Sequence, residues 1–405
     1  MRHVIVMITT SYPRFPGDGV GSFMEPIAKG VAARGHEVHL VAPWHPAIRR
    51  PKVEDGVFFH FFHYAPLASL HVFGYATGLR ADTHLKTRTW AVAPFALASG
   101  WFKARRVASK RRATVMHAHW VIPGGVIGAA AAGPLPLVVS LHGSDVFVAE
   151  RSALARRAAR RVFRAARWVT ACSDDLRERG FALGADPARS ETVPYGVDAE
   201  RFTPDPRTRS AVRAELGVGD APLIAAAGRL VRKKGFEYLI EAARELAPRF
   251  PSLRVVIAGD GDLQSELRVQ AASAPPGVVR FLGTRPQTDV VRLAAAADIV
   301  VVPSVKDDAG NVDGLPNFLL EALATAAPVV ASRVGGLPQA IEDGVTGRLV
   351  PERDAVTLAR VMAEMLADPQ RAKALGDAAR AKVLRDFGWP RVAERFEAAY
   401  DNVCR

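Results

Sequence analysis

Short apolar runs rich in Val, Ile and Leu recur along the chain. They do not alternate with polar residues, which is the pattern of parallel strands covered on both faces. They predict strands over 3–9, 38–41, 57–63, 115–119, 137–141, 168–172 and 191–194 in the first half. In the second half they predict strands over 223–227, 254–259, 279–282, 299–302 and 328–331. Between them apolar positions recur every three or four residues, predicting helices over 24–34, 153–167, 290–296, 316–325 and 390–403, with another after a basic loop at 229–234. Gly35 reads as a helix stop, and Ser173 and Asp174 as candidate N-caps. Strand–helix alternation in both halves predicts an α/β protein of two doubly wound domains facing across a cleft. Pro and Asp concentrate at 198–206, DAERFTPDP, which reads as the linker. The domains are then expected at 1–203 and 204–387.

Composition narrows this picture. A chain of 405 residues, 49% hydrophobic, is long enough for two ordinary cores. Its two cysteines, Cys172 and Cys404, form no CxxC, so neither a disulfide framework nor a zinc site is expected. The start runs straight into a strand without a basic leader, the expectation for a cytoplasmic protein. Residues 120–144 carry no charge, but Pro123, Pro134 and Pro136 break the run. A buried helix followed by a strand is expected there rather than a membrane span.

The net charge of +13 is unevenly spread. Residues 49–112 hold twelve Lys/Arg against three acids, and 151–167 hold seven arginines and no acid. Such a field attracts anionic membranes or nucleic acid; ordinary solvated arginines are the plainer reading. No nucleic-acid-binding module accompanies it, so a membrane surface is the preferred partner and nucleic acid is not expected. Trp90, Phe95, Trp101 and Phe102 adjoin the basic cluster and fit either a core or a membrane interface.

Candidate chemistry gathers where strands end. After 299–302 a polar loop leads through Asp313 and Gly314 to a helix start at Pro316, with Glu321 about one turn further on. Proline suits a first-turn position, and free N–H groups there favour an anion. A solvated loop and a surface glutamate is the plain alternative. Arg229 and Lys234 follow strand 223–227, where two cations suit a diphosphate. His142, Gly143 and Asp145 follow strand 137–141, a favoured place for ligands in open sheets. All eleven histidines lie at or before His142, but His117, His119 and His142 show no metal-ligand spacing, so no metal is expected. Gly17, Gly19 and Gly21 lie in a loop too long for a dinucleotide fingerprint.

Taken in order, the chain carries GDGVGSF at 17–23, HGSD at 142–145, VPYGVDAERF at 193–202, GRLVRKKG at 228–235, AGDGDL at 258–263, FLG at 281–283 and DGLPNFLLEALA at 313–324, followed by a GG turn. This ordered set resembles the motifs of family 4 retaining glycosyltransferases, and the resemblance implies the two-Rossmann GT-B fold. The likeness covers essentially the whole chain. It implies transfer of a hexosyl group from a UDP- or GDP-sugar, with retention, to an acceptor hydroxyl. Lipid-linked or cell-envelope glycans and small molecules are the acceptor classes. It implies no metal, no cofactor beyond the nucleotide sugar, and no protein nucleophile. It assigns Arg229 and Lys234 to the diphosphate, Glu321 to the ribose, and His142 and position 313 to the donor sugar. Gly314, Leu315, Pro316, Asn317 and Phe318 would give backbone contacts to sugar and phosphate. Gly261 and Leu282 would lie beside the base, and Gly19 and Gly21 near phosphate or acceptor. A terminal helix at about 388–405 would return to the first domain. One departure stands out: Asp313 occupies the place of a family glutamate. A sugar-nucleotide epimerase or a phosphorylase on the same fold is the alternative, and a peripheral site on the inner face of the plasma membrane is the expected location.

Overall fold

A computed structural model of the chain describes residues 1–75, 79–80, 84–85 and 87–405. It divides into two compact units, Met1–Tyr195 with Trp389–Arg405, and Gly196–Gly388.

The first unit carries β1 (Val4–Ile8), β2 (Glu37–Pro43), β3 (Val53–Glu54), β4 (Val57–Phe62), β5 (Leu79–Arg80), β6 (His84–Leu85), β7 (Val115–His119), β8 (Leu137–Leu141), β9 (Trp168–Ala171) and β10 (Ser190–Thr192). Strands β5 and β6 pair by themselves. The other eight form one sheet in the order 10-9-8-7-1-2-4-3, antiparallel only between β3 and β4. Strands β7 and β8 are buried at every residue, and the polar side chains they carry, His117, His119 and Ser140, are hydrogen-bonded inside. The last helix, Trp389–Cys404, sets Val392, Phe396 and Tyr400 into the same core as Met24, Ile27 and Val31 of helix Met24–Ala33. Each such fully buried side chain contributes about 1.5–3 kcal/mol.

The second unit carries β11 (Leu223–Ala227), β12 (Arg254–Ala258), β13 (Val279–Gly283), β14 (Ile299–Val302), β15 (Val329–Ser332) and β16 (Arg348–Val350). All are parallel, in the order 13-12-11-14-15-16. Leu239, Ile240 and Ala243 of helix Phe236–Leu246 share a core with Leu358 and Met362 of helix Ala355–Ala367 and with Ile224, Val255 and Val301 of the sheet.

Among the parallel strands chain order reverses between β1 and β7 in the first sheet and between β11 and β14 in the second. The loops leaving these neighbouring strands part to opposite faces and open a crevice, the place where open α/β sheets bind ligands.

Two expectations are corrected. The first unit ends at Tyr195 rather than at 203. Val197 donates its N–H to the Phe387 carbonyl at 2.7 Å, and the Arg380 guanidinium bonds the carbonyls of Ala199 (3.1 Å), Phe202 (2.9 Å) and Ala324. These bonds hold 196–203 to the second unit, so the Pro/Asp-rich stretch is packed chain. Pro316 is the N-cap, with extended backbone, and the helix begins one residue later, Asn317–Ala324. Among the described residues no helix is long and apolar enough to cross a membrane.

Candidate functional site

In the second unit the loops after β11 and β14 meet at the crevice. The segment after β11 makes a short turn, Arg232–Lys234, that aims two lysines inward. Val305 donates its N–H to the Lys233 carbonyl at 2.9 Å, tying this turn to the loop after β14. Arg229 is exposed at the rim.

Lys234 reaches Asp313, with Nζ to Oδ2 at 2.8 Å, and the Ser304 hydroxyl donates to the same oxygen at 2.7 Å. Lys233 Nζ lies 3.7 Å from Oδ1. Asp313 is only 7% exposed. Burial alone would raise its pKa, but the charges of Lys234 and then Lys233, with the two hydrogen bonds, outweigh burial and hold the carboxyl below its usual value. A cavity of about 10 Å³ lies among Lys234, Ser304, Pro316 and Phe318, room for one water.

Helix Asn317–Ala324 starts beside these cations. No side chain caps it, so its first N–H groups keep their partial positive charge. Gly314 and Asn317 are half-buried, and Leu315, Pro316 and Phe318 are buried. Glu321 sits one turn in and is 6% exposed. Gln287, at the start of helix Gln287–Ala296, donates Nε2–H to Glu321 Oε1 at 2.6 Å. Burial raises the Glu321 pKa despite that bond and the charge of Arg201. The other carboxylate oxygen makes no hydrogen bond among the described residues.

The loop after β12 lies beside the turn. Leu263 donates to the Leu230 carbonyl at 2.9 Å, and a Cβ on Gly261 would stand 2.6 Å from that same oxygen. Gly261 therefore serves a close approach of two loops. Leu282 is half-buried on β13.

The first unit assembles a different set. His142, just past β8, uses both ring nitrogens: Nε2 meets His119 Nδ1 at 2.9 Å and Nδ1 meets the Tyr195 hydroxyl at 2.8 Å. Burial and the neighbouring His117 push its pKa down to about 3, so it is neutral. Any sugar hydroxyl at this ring must compete with one of those partners. Asp145 accepts from the N–H groups of Val121 (2.7 Å), Gly143 (2.9 Å) and His142 (3.2 Å). It is a buried brace for the loops after β7 and β8; burial raises its pKa to about 6 against those bonds. His117 is likewise internal, bonded to the Tyr400 hydroxyl and Ser140 Oγ, both at 2.7 Å.

The glycine loop follows β1 in the same unit. Asp18 fixes it, accepting from Arg14 N (3.0 Å), Arg14 Nη2 (3.0 Å) and Val20 N (3.2 Å). Gly19 has open space where a Cβ would stand, whereas one on Gly21, at φ +65°, would touch Ser11 at 3.1 Å. Phe23 ends the loop and stacks on Tyr195, with ring centroids 4.5 Å apart.

Arg229, Lys234, Asp313, Gly314–Phe318 and Glu321 thus lie around one crevice in the second unit; Gly19, Gly21 and His142 belong to the other unit. Sequence reasoning missed Ser304, Lys233 and Gln287 in the second unit and Tyr195, His119 and Phe23 in the first. Ser304 and Lys233 carried a usable signal, since Ser304 lies just beyond β14 and Lys233 sits beside Lys234 in the basic loop.

The chain matches two family descriptions, Glycosyl transferases group 1 over residues 208–382 and Glycosyltransferase Family 4 over residues 17–201. It is 37% identical over 262 residues to the GDP-mannose-dependent alpha-(1-6)-phosphatidylinositol monomannoside mannosyltransferase of Mycolicibacterium smegmatis, covering 64% of this chain and 68% of that one. It is 37% identical over 239 residues to the D-inositol 3-phosphate glycosyltransferase of Corynebacterium efficiens, covering 57% of this chain and 55% of that one. HepE of Anabaena, crystallised with UDP, shares its fold at a TM-score of 0.78, with 22% identity over 99% of this chain and 100% of that one. With its two halves matched in turn by the two descriptions, and more than two thirds of the mycobacterial relative covered, the chain belongs to glycosyltransferase family 4 and is a glycosyltransferase.

Proposed function

We propose that this enzyme takes a hexosyl group from a nucleotide diphosphate sugar, with GDP-mannose the first donor to try, and passes it with retention to a hydroxyl of an inositol- or sugar-bearing lipid. The observation that carries this reading is the convergence of Lys234, an uncapped helix start at Asn317 and the buried Glu321 carboxylate on one crevice. A diphosphate lies against the cations and N–H groups, and the ribose hydroxyls donate to Glu321. The mycobacterial relative is named for GDP-mannose and a phosphatidylinositol monomannoside, and the corynebacterial one for an inositol phosphate. The Anabaena neighbour holds UDP, so UDP-sugars are the second donors to try.

In the reaction the bond between the anomeric carbon and the β-phosphate oxygen breaks, and the phosphate keeps the electron pair. The acceptor oxygen bonds the same carbon from the face being vacated, and its proton passes to the phosphate. Arg229, Lys234 and the helix N-terminus stabilise the charge that grows on the leaving group. Charge stabilisation by the chain's own cations predicts activity that survives a chelator.

The acceptor is taken from an anionic membrane, at the inner face of the plasma membrane. Helix Thr87–Arg111 exposes Phe95 (64%), Trp101 (40%) and Phe102 (59%), beside exposed Arg105, Arg106 and Lys110. The short helix Val126–Ala131 lies against it through a Trp101 Nε1–H bond to the Ala130 carbonyl at 3.2 Å, and Gly125 abuts Val162 of helix Ala153–Ala165. That third helix buries Ala159, Val162 and Phe163 and exposes Arg156, Arg157, Arg160, Arg161 and Arg164. Among the described residues none of these five pairs with a carboxylate. Like charges three or four residues apart cost about 0.2–0.5 kcal/mol per pair. Lipid phosphates relieve that cost and return about 1 kcal/mol per basic residue.

The test is incubation with GDP-mannose or UDP-glucose and phosphatidylinositol-type acceptors in EDTA, with products read by mass spectrometry and the linkage by NMR. A product one hexose heavier, with the donor's anomeric configuration, supports the proposal. Donor epimerisation, or consumption of inorganic phosphate with release of hexose phosphate, would overturn it.

A further inference from the structure

We infer that Asp313 is a positioning residue for Lys234 and not a ligand of the donor sugar. The inference rests on the nucleotide-sugar reading of this crevice and assigns one of its residues a different partner.

The carboxylate is already committed. Oδ2 accepts from Lys234 Nζ at 2.8 Å and from Ser304 Oγ at 2.7 Å, while Oδ1 faces Lys233 Nζ at 3.7 Å. Both oxygens therefore turn toward the cation pair on the loop after β11. A sugar hydroxyl would have to displace the Lys234 ammonium to reach Oδ2, or crowd in beside the Lys233 ammonium to reach Oδ1, on a carboxylate that is 7% exposed. A neutral hydroxyl brings no counter-charge, so the exchange would leave the buried carboxylate and the ammonium both uncompensated, and the hydroxyl loses it.

Nor can Asp313 retreat toward a sugar. A Cβ on Gly335 would stand 2.2 Å from the Asp313 carbonyl oxygen, so the turn after β15 presses directly on its backbone. The Gly336 N–H points at the same oxygen at 3.4 Å. Aspartate also ends one methylene, about 1.5 Å, short of a glutamate. The shorter acid, clamped from behind, reaches Lys234 and Ser304 and stops there.

This arrangement has a chemical purpose. Lys234 is a long flexible cation, and a phosphate-binding cation is most effective when its position is fixed before the ligand arrives. Asp313 supplies that fixed point, and Ser304 fixes Asp313.

The distinction is measurable because a positioning residue acts on the diphosphate whether or not a sugar is attached. The experiment is calorimetric titration of GDP and GDP-mannose, and of UDP and UDP-glucose, into wild type, Asp313→Asn, Lys234→Ala and the double variant. Thermal melts confirm that each is folded. Asp313→Asn is expected to change the affinity for the plain diphosphate by about fivefold or more, and that for the matching nucleotide sugar by the same factor. In the Lys234→Ala background the same substitution is expected to change either affinity less than about twofold, since the partner through which it acts is gone. Asp313→Glu, with the charge kept, is expected to recover most of the affinity. The inference is overturned if Asp313→Asn leaves diphosphate binding unchanged and weakens only the nucleotide sugar. It is equally overturned if its effect is as large without Lys234 as with it. Both of those results leave the nucleotide-sugar reading standing; wild type that binds none of the four ligands would overturn both.

Discussion

The two units share an architecture and differ in how they handle charge. All eleven histidines and all six tryptophans lie in the first unit, none in the second. In the first unit neutral imidazoles are buried as hydrogen-bonding bricks: His117 between Tyr400 and Ser140, His142 between His119 and Tyr195. Its arginine-rich helix Ala153–Ala165 is left without acids. The second unit pairs comparable charges locally, as in Arg360 with Glu364 and Lys373 with Asp377 at 2.6 Å. At the crevice it sets Lys234 against the buried Asp313. Unbalanced surface charge suits an extended anionic partner, and a balanced surface with a charged crevice suits a small anion.

The comparison breaks most sharply at the crevice. Lys234→Ala and Glu321→Ala are each expected to lower kcat/KM for transfer by about a hundredfold or more, the scale of losing one charge-stabilising group at a reacting centre. Every tryptophan is in the other unit, so the tryptophan-fluorescence melt should stay where it is. Transfer at near-normal rate in both variants would remove the crevice from the mechanism.

Acid should separate the units next. His117 and His142 stay neutral down to about pH 3 in the fold, because burial disfavours their charged forms, but titrate near 6.5 when unfolded. The unfolded state then binds more protons between those values, so the first unit loses stability as pH falls from about 6.5 toward 3, by a few kcal/mol. Asp145, raised to about 6, offsets part of this above the usual carboxylate value of 3.8. In the second unit the raised Glu321 takes up its proton in the fold first, which favours the fold in mild acid. Asp313, held below 3.8, withdraws stability only under that value. Tryptophan fluorescence at pH 4.5 should therefore melt below the far-UV circular dichroism transition; coincident transitions would contradict the contrast.

A smaller effect tests the surfaces. Charge reversal of Arg156, Arg160 and Arg164 to Glu should weaken binding to phosphatidylglycerol vesicles by at least about tenfold, at roughly 1 kcal/mol per residue, and added salt should weaken wild type similarly. Phe95→Ala with Phe102→Ala should lower vesicle binding without steepening the salt dependence. Equal binding to phosphatidylcholine vesicles, or preferential binding to duplex DNA, would contradict the membrane reading. The smallest effect concerns helix caps. Ser173 accepts from Leu176 N in the first unit, and Asp205 from Arg207 and Thr208 N in the second. Their alanine variants should each cost about 1 kcal/mol, with only Ser173→Ala moving the fluorescence melt.

Much of the fold was legible because strands buried on both faces leave apolar runs; β11 and β14 are unbroken runs and fall where predicted, and β7 and β8 do so although His117, His119 and Ser140 interrupt theirs. The edges were not, since hydrogen bonding decides them: Asp198–Pro206 has a linker's composition, yet Arg380 binds its first carbonyls. The residue types at the crevice were legible and their pairing was not. Lys234 and Asp313 stand 79 residues apart, and no local pattern encodes their contact. His142 reads as a site residue because it follows a strand; its hydrogen bonds to His119 and Tyr195 are purely tertiary. The spacing of Phe95, Trp101 and Phe102 equals that of a core stripe, so only the structure could show them exposed. The side chain of Trp90, and those of Arg80, Asp82, Lys86 and Arg88 in the basic stretch, lie outside the described residues.

The central claim is that a nucleotide sits in the second unit with its ribose on Glu321. Calorimetric titration of GDP and of 2′,3′-dideoxy-GDP into wild type and Glu321→Gln tests it directly. Wild type should bind GDP at least about tenfold more tightly than the dideoxy analogue, as two hydrogen bonds to a buried carboxylate require, and Glu321→Gln should erase most of that difference. Equal affinity of wild type for the two nucleotides would contradict the account.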